Sequence, residues 1–225
     1  MTDTAKGTWY DDARAENAMA DGHLPVWRHL IGLMPETDLS GCRVLDFGCN
    51  QGGLLRLLHA TRPFAEGVGI DIAASSIETA RDQSAGLPLH FEVGDRPLAD
   101  MGVFDLAISH EVIYLIEDLK GHADQMLASL RPGGVYYAVT GCHKGNPDLD
   151  AWRRIVEERT RTRIIDRSID DYARLFLDAG FAVSARKLGY EGFIRYERDR
   201  WPTSYAHDLD YYREVKAVFR LVRPG

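Results

Sequence analysis

The sequence predicts an α/β fold: a doubly wound, mostly parallel sheet with helices on both faces. Three observations carry this prediction. The run Val44-Leu45-Asp46-Phe47-Gly48-Cys49-Asn50-Gln51-Gly52-Gly53-Leu54-Leu55 reads as a buried strand, a glycine-rich turn and a helix start. Apolar strand-like runs then alternate with helical patterns up to residue 139. The length, 225 residues with 45% hydrophobic and 27% charged content, suits one domain with a full core.

The elements follow in order. A helix is expected over 9–34, with Trp27, Leu30, Ile31, Leu33 and Met34 as packing positions. The first strand spans 43–47 and the next helix 53–61. Glu66–Asp71 is a second buried strand that ends in a carboxylate. Ser75-Ser76-Ile77-Glu78 has capping-box spacing and predicts a helix from Ser76. Leu89–Val93 alternates as a third strand, and Val103–Ile108 is apolar enough for a sheet centre. Helical patterns cover 112–119 and 122–130, closed by the turn signal Pro132-Gly133-Gly134. Val135–Val139 is the fifth strand. Beyond it, a helix over 149–161 reads as an insertion, and a helix over 169–179 opens on Ser168 and stops at Gly180. Phe181–Leu188 and Gly192–Tyr196 are strand-like, and 204–221 places Tyr205, Leu209, Tyr212 and Phe219 at near-helical spacing. The expected organisation is one domain over 1–225. It comprises a helical cap (1–39), a ligand-binding core (40–142) and an acceptor side (143–225) that includes the insertion and the last elements.

Composition narrows the function. Residues 1–143 carry 10 Lys and Arg against 20 Asp and Glu, which argues against nucleic acid as a partner. The basic cluster Arg153, Arg154, Arg159, Arg161 and Arg163 reads as a solvated helix face, with an anionic-substrate contact as the sharper alternative. Cys42, Cys49 and Cys142 lack metal-ligand spacing, so reduced thiols in a cytoplasmic protein and no metal site are expected. No apolar run approaches membrane-spanning length, and no membrane partner is expected. A monomer or homodimer is expected.

The turn after the first strand is built to meet a ligand. Glycines let the backbone approach closely, and the helix start aims N–H groups at the same place. The dinucleotide pattern G-x-G-x-x-G is broken by Asn50, which disfavours a nicotinamide cofactor. Asn is the non-glycine residue best able to hold a left-handed backbone.

VLDFGCNQGG (44–53), GVGIDI (67–72), EVGD (92–95), FDLAISHEVIYLIED (104–118), LRPGG (130–134) and DDYARLFLDAGF (170–181) together make the chain resemble a family. That family is the class I S-adenosylmethionine-dependent methyltransferases of small-molecule type, with a seven-stranded Rossmann-like sheet. The resemblance covers roughly residues 40–197. It implies S-adenosylmethionine as cofactor and a small-molecule methyl acceptor. It also implies that Asp46, Gly48, Cys49 and Asn50 lie against the methionine part and that Asp71 accepts from the ribose hydroxyls. Ile72 would pack on adenine, Asp95 with Arg96 beside it would meet the adenine amino group, and Ser109 and His110 would lie beneath the sulfonium. Trp9 and Tyr10 would fold over the cofactor as a lid. Two other readings stay open: an S-adenosylmethionine enzyme of another reaction type, and a non-catalytic adenosyl-ligand-binding subunit.

Methyl transfer from a sulfonium needs alignment and exclusion of water, and a general base only for a protonated acceptor. The candidates for that base are His110, His143 and Tyr114, with Glu111 as a further neighbour. The aromatic C-terminal third offers residues for an acceptor pocket.

Overall fold

The computed structural model describes residues 13–97, 101–160, 162–195 and 204–225. The elements are α1 (Ala13–Leu33), β1 (Leu39–Phe47), α2 (Gly53–Thr61), β2 (Phe64–Asp71), α3 (Ala74–Gln83), β3 (Leu89–Val93) and β4 (Phe104–His110). They continue with α4 (Leu119–Ser129), β5 (Leu130–Thr140), α5 (Leu149–Thr160), α6 (Ile169–Asp178), β6 (Ala182–Lys187), α7 (Tyr205–Asp210) and β7 (Ala217–Val222). The seven strands form one sheet in the order β3-β2-β1-β4-β5-β7-β6. The pairs β1–β2, β1–β4, β2–β3 and β4–β5 are parallel, and β7 runs antiparallel to both β5 and β6. The strand order reverses between β1 and β4, so the crevice beyond their carboxyl ends is where such a sheet binds ligands.

Successive strand residues point to opposite faces, and this sorts the core into two layers. Val44, Leu106 and Ile108 join Trp27, Leu30, Leu55, Ile77 and Phe91 on the face covered by α1, α2 and α3. Leu45 and Ala107 join Tyr136, Tyr172, Phe176 and Phe219 on the face covered by α4 and α6.

Four expectations are corrected. The capping box at Ser75 is not formed: α3 starts at Ala74 behind Ala73, without a side-chain cap. Instead Ala73 N–H donates to the Asp71 carboxylate, which takes the place of a cap residue. The expected helix over 112–119 is a set of turns. Glu111 adopts φ +62, which breaks regular structure, and α4 begins only after Asp118 accepts from Gly121 N–H. The expected strand Gly192–Tyr196 is not a strand over its described residues 192–195. The seventh strand is β7, inside the segment expected to be helical. Its residues are buried on both faces between β5 and β6, so it shows no alternation for a sequence reading to find. The Pro132-Gly133-Gly134 turn lies within β5 as a bulge. The partner of β4 jumps from Leu130 to Val135, and Gly133 and Gly134 bond Arg223 instead.

Gly69 shows how tightly β2 is packed beneath the ligand turn. A Cβ there would lie 2.5 Å from Phe91 and 2.8 Å from Cys49 Sγ. Gly69→Ala is therefore expected to lower stability by about 1–3 kcal/mol through overpacking. Urea unfolding measures this, and a neutral result contradicts the packing described.

Candidate functional site

Both Gly48 N–H and Cys49 N–H donate to Ile70 C=O, at 2.8 and 3.0 Å, which pins the turn after β1 to the end of β2. Gly48, Asn50 and Gly52 all have positive φ, at 74°, 48° and 72°. Asn50 thus holds the left-handed conformation that its residue type tolerates best after glycine. Gly48 also has no room for a Cβ, because Val112 stands against it. Asp71 ties the turns together: Oδ2 accepts from Asn50 N–H at 2.8 Å and Oδ1 from Ala73 N–H at 2.9 Å. Its carboxylate is therefore held in one orientation, with a lone pair on each oxygen still able to accept.

These groups border a cavity of about 630 Å³ at the carboxyl ends of β1, β2 and β4. Asp46 lines it and is 2% exposed, and its Oδ2 has no hydrogen-bond partner among the described residues. Gln51 Oε1 is in the same condition. Burial, helped by the Asp71 charge, pushes the Asp46 carboxyl up to about 8. A buried acid of this kind ionises readily once a cation enters beside it. The Cys49 thiol, also buried, is pushed well above its ordinary range.

The opposite wall is built by α1, β4 and the approach to β7. Lys216 is completely buried, with Nζ 2.8 Å from Glu111 Oε1 and 3.3 Å from His110 Nε2. The Tyr211 and Tyr212 rings flank it at 5.0 and 4.9 Å. Glu111 Oε1 also accepts from Gly141 N–H and from the Tyr211 hydroxyl, each at 3.0 Å. Trp27 Nε1 donates toward His110 Nδ1 at 3.4 Å, and His23 stacks on Trp27. Burial, then the Lys216 ammonium and His23, hold His110 well below the usual imidazole range, so it is neutral at pH 7. Burial likewise pushes the Tyr114 and Tyr211 phenols well above theirs.

Most predicted residues meet at this cavity: Asp46, Gly48, Cys49, Asn50, Asp71 and Ile72 on one side, with Asp95, His110 and Tyr114 completing it. Three do not. Ser109 faces the other layer, where its hydroxyl bonds Tyr136 at 2.7 Å, because it precedes His110 on a strand and must point the opposite way. Arg96 is exposed, 3.9 Å from Asp95, and is not among the residues that line the cavity. His143 also stands off the cavity. Its Nε2 donates to Val215 C=O at 2.9 Å and its Nδ1 accepts from Gly145 N–H at 3.1 Å, which fixes the loop after β5. Trp9 and Tyr10 lie outside the described residues. Of the basic cluster, Arg153 pairs with Asp150 and Asp166, and Arg163 with Glu117. Sequence reasoning missed Lys216, Trp27 and His23 as site residues. The one local signal was a lysine directly before the apolar run Ala217–Val222.

Asp46 gives a pH signature. In the folded, ligand-free chain it stays protonated up to about pH 8, while its unfolded reference is 3.8. Its contribution to stability is complete below that reference and is lost as pH rises toward 8. Relative to Asp46→Asn, the natural chain should lose on the order of several kcal/mol between about pH 4.5 and 8. Urea unfolding across this range measures the difference, and a difference flat in pH contradicts a buried, protonated carboxyl.

Comparison with known proteins agrees with this site. A methyltransferase-domain family model matches residues 38–179. The chain is 33% identical over 190 residues to a ubiquinone biosynthesis O-methyltransferase of Nitrobacter winogradskyi, covering 80% of this chain and 70% of that one. It is 32% identical over 150 residues to a malonyl-[acyl-carrier protein] O-methyltransferase of Enterobacter lignolyticus, covering 66% of this chain but only 59% of that enzyme's length. Among solved structures, a chain of the Haloferax volcanii complex between the Trm112 methyltransferase activator and a methyltransferase shares the fold. Its TM-score is 0.80 at 24% identity, over 95% of each chain. With the sheet order, the glycine turn and Asp71 at the end of β2, this match to more than half of the chain places the protein in the S-adenosylmethionine-dependent methyltransferase family.

Proposed function

We propose that the protein transfers a methyl group from S-adenosylmethionine to a small-molecule acceptor by in-line displacement. The observation that carries this is the Asp71 carboxylate, fixed by two backbone N–H groups at the mouth of a cavity that also holds the partnerless Asp46 Oδ2. The residues present fit the cofactor. Asp71 would accept from the ribose hydroxyls, and Asp95 from the adenine amino group. Ile72, an apolar side chain 53% exposed on the cavity wall, would cover adenine. Asp46, with the Gly48–Asn50 backbone beside it, would receive the methionine ammonium, which is the cation its buried carboxyl lacks. When bound, S-adenosylmethionine supplies an activated methyl group on a sulfonium, so the chain has only to orient the acceptor and keep water out.

Residues 40–142 provide the cofactor side, and 143–225 contribute the acceptor side through Trp152, Tyr211, Tyr212 and Lys216. His110 is placed to position groups across the junction. As a base it is weak, because Lys216 and burial oppose its protonation. Tyr114 is a weak acid for the corresponding reason and stays a neutral hydroxyl in the cavity wall. The acidic charge of residues 1–143 favours a small acceptor over nucleic acid.

Asp71→Ala is expected to weaken S-adenosylhomocysteine binding by about 1.5–3 kcal/mol, the scale of hydrogen bonds to a charged group. Calorimetry on the folded variant, with circular dichroism as the check on folding, measures this. Unchanged affinity removes Asp71 from the ribose site.

A further inference from the structure

We propose that the methyl acceptor presents an anionic oxygen, a carboxylate or an acidic phenol or enol, and that Lys216 and Trp27 hold this oxygen on the inner wall of the cavity. The proposal rests on the methyl-transfer reading above and names its substrate class. It follows from a mismatch of donors and acceptors between the two sides of the cavity. On the glycine-turn side acceptors are in surplus: Asp46 Oδ2 and Gln51 Oε1 have no partner among the described residues. On the inner wall donors are in surplus. Trp27 Nε1–H and the Lys216 ammonium approach His110 from its two nitrogens, at 3.4 and 3.3 Å. Both groups can only donate, and a neutral imidazole offers one lone pair. One of the two donors therefore has no acceptor in His110. The nearby carboxylate of Glu111 does not relieve this, since it already takes Gly141 N–H, Tyr211 O–H and Lys216. An oxyanion entering the cavity supplies the missing acceptor.

The same wall lacks a proton acceptor for any other kind of nucleophile. His110 faces His23 and Trp27 from α1, Lys216 ahead of β7 and Glu111 on its own side, and it resists protonation. The phenols of Tyr114 and Tyr211 and the thiol of Cys142 are all pushed up by burial. A neutral alcohol or an ammonium would have to shed a proton with nothing placed to receive it. An oxyanion sheds none. A lone pair of its oxygen forms the bond to the methyl carbon while the carbon–sulfur bond breaks and its electron pair goes to sulfur. The negative acceptor and the positive sulfonium become a neutral ester or ether and a neutral thioether, and no proton moves. The product has lost the charge that Lys216 held, which favours its release. The rest of the wall, with Leu115, Ile116 and the stacked pair Trp152–Tyr211 at 5.5 Å, suits an acid with an apolar or aromatic body.

The test gives the full chain methyl-labelled S-adenosylmethionine and matched compounds on phenyl, phenylpropyl and decyl skeletons. Each skeleton is offered as a carboxylic acid, a phenol or alcohol, an amine and a thiol. Mass spectrometry should find the label on carboxylate or phenolate oxygen. The kcat/KM should rise with pH as the acceptor ionises and then level off, with a midpoint that moves with the acceptor's own pKa. Lys216→Met should lower kcat/KM for acids about tenfold or more, with S-adenosylhomocysteine affinity within about twofold of the natural chain. Because that variant strands the Glu111 carboxylate, Trp27→Phe provides a milder one that removes a single N–H. It should raise the acceptor KM a few-fold with little change in kcat. Label found only on nitrogen or sulfur overturns the proposal, as does no product from any acid or phenol while S-adenosylhomocysteine still binds. It is also overturned if Lys216→Met weakens S-adenosylhomocysteine far more than methylthioadenosine, which lacks the amino-acid carboxylate, for the donors then serve the cofactor. Failure of the natural chain to bind S-adenosylhomocysteine at all strikes the methyl-transfer reading itself.

Discussion

The Asp71 carboxylate, clamped between the N–H groups of Asn50 and Ala73, sets the geometry on which the cofactor side depends. It closes two turns at once: the left-handed turn after β1 and the start of α3 after β2. The Gly48 and Cys49 N–H bonds to Ile70 fix the same junction through the backbone. Together they leave Asp46 facing the cavity with one oxygen unsatisfied. This is a cost in the empty fold that a bound cation offsets. The polarity of the site thus follows from local backbone constraints that hold whether or not a ligand is present.

Across the cavity, Lys216 plays the matching part. It enters just ahead of β7, which the sheet order places beside β5, the neighbour of β4. Only that arrangement brings a residue near the end of the chain onto His110 and Glu111. Glu111 holds φ +62 while its carboxylate gathers Gly141, Tyr211 and Lys216, so an uncommon backbone conformation is supported by three donors. The two walls carry opposite needs, acceptors seeking a cation on one and donors seeking an anion on the other. A sulfonium cofactor with an ammonium group and an anionic acceptor would satisfy both.

The legible part of the sequence is the part where function is written in local geometry. Glycines that need positive φ, an Asn that tolerates it and an Asp that ends a strand all act on residues a few positions away, so VLDFGCNQGG and GVGIDI could be read directly. The illegible part depends on distant chain. β7 is buried on both faces and shows no period of two, so the aromatic spacing of 204–221 suggested a helix where only Tyr205–Asp210 and the π-helical turn Tyr211–Val215 form. Trp27 read as core packing and Lys216 as surface charge, since nothing local says that α1 and β7 meet at His110. Ser109 and His110 were assigned the same place, although strand alternation sends their side chains to opposite layers.

The most direct measurement of the central claim is calorimetric titration of the natural chain with S-adenosylhomocysteine, with NAD titrated in parallel. The account expects one S-adenosylhomocysteine bound per chain, at least about tenfold more tightly than NAD. The turn around Asn50 departs from the dinucleotide pattern, while Asp46 awaits a cation that NAD does not bring to it. Equal affinity for the two ligands, or no heat with S-adenosylhomocysteine from a folded protein, would contradict it.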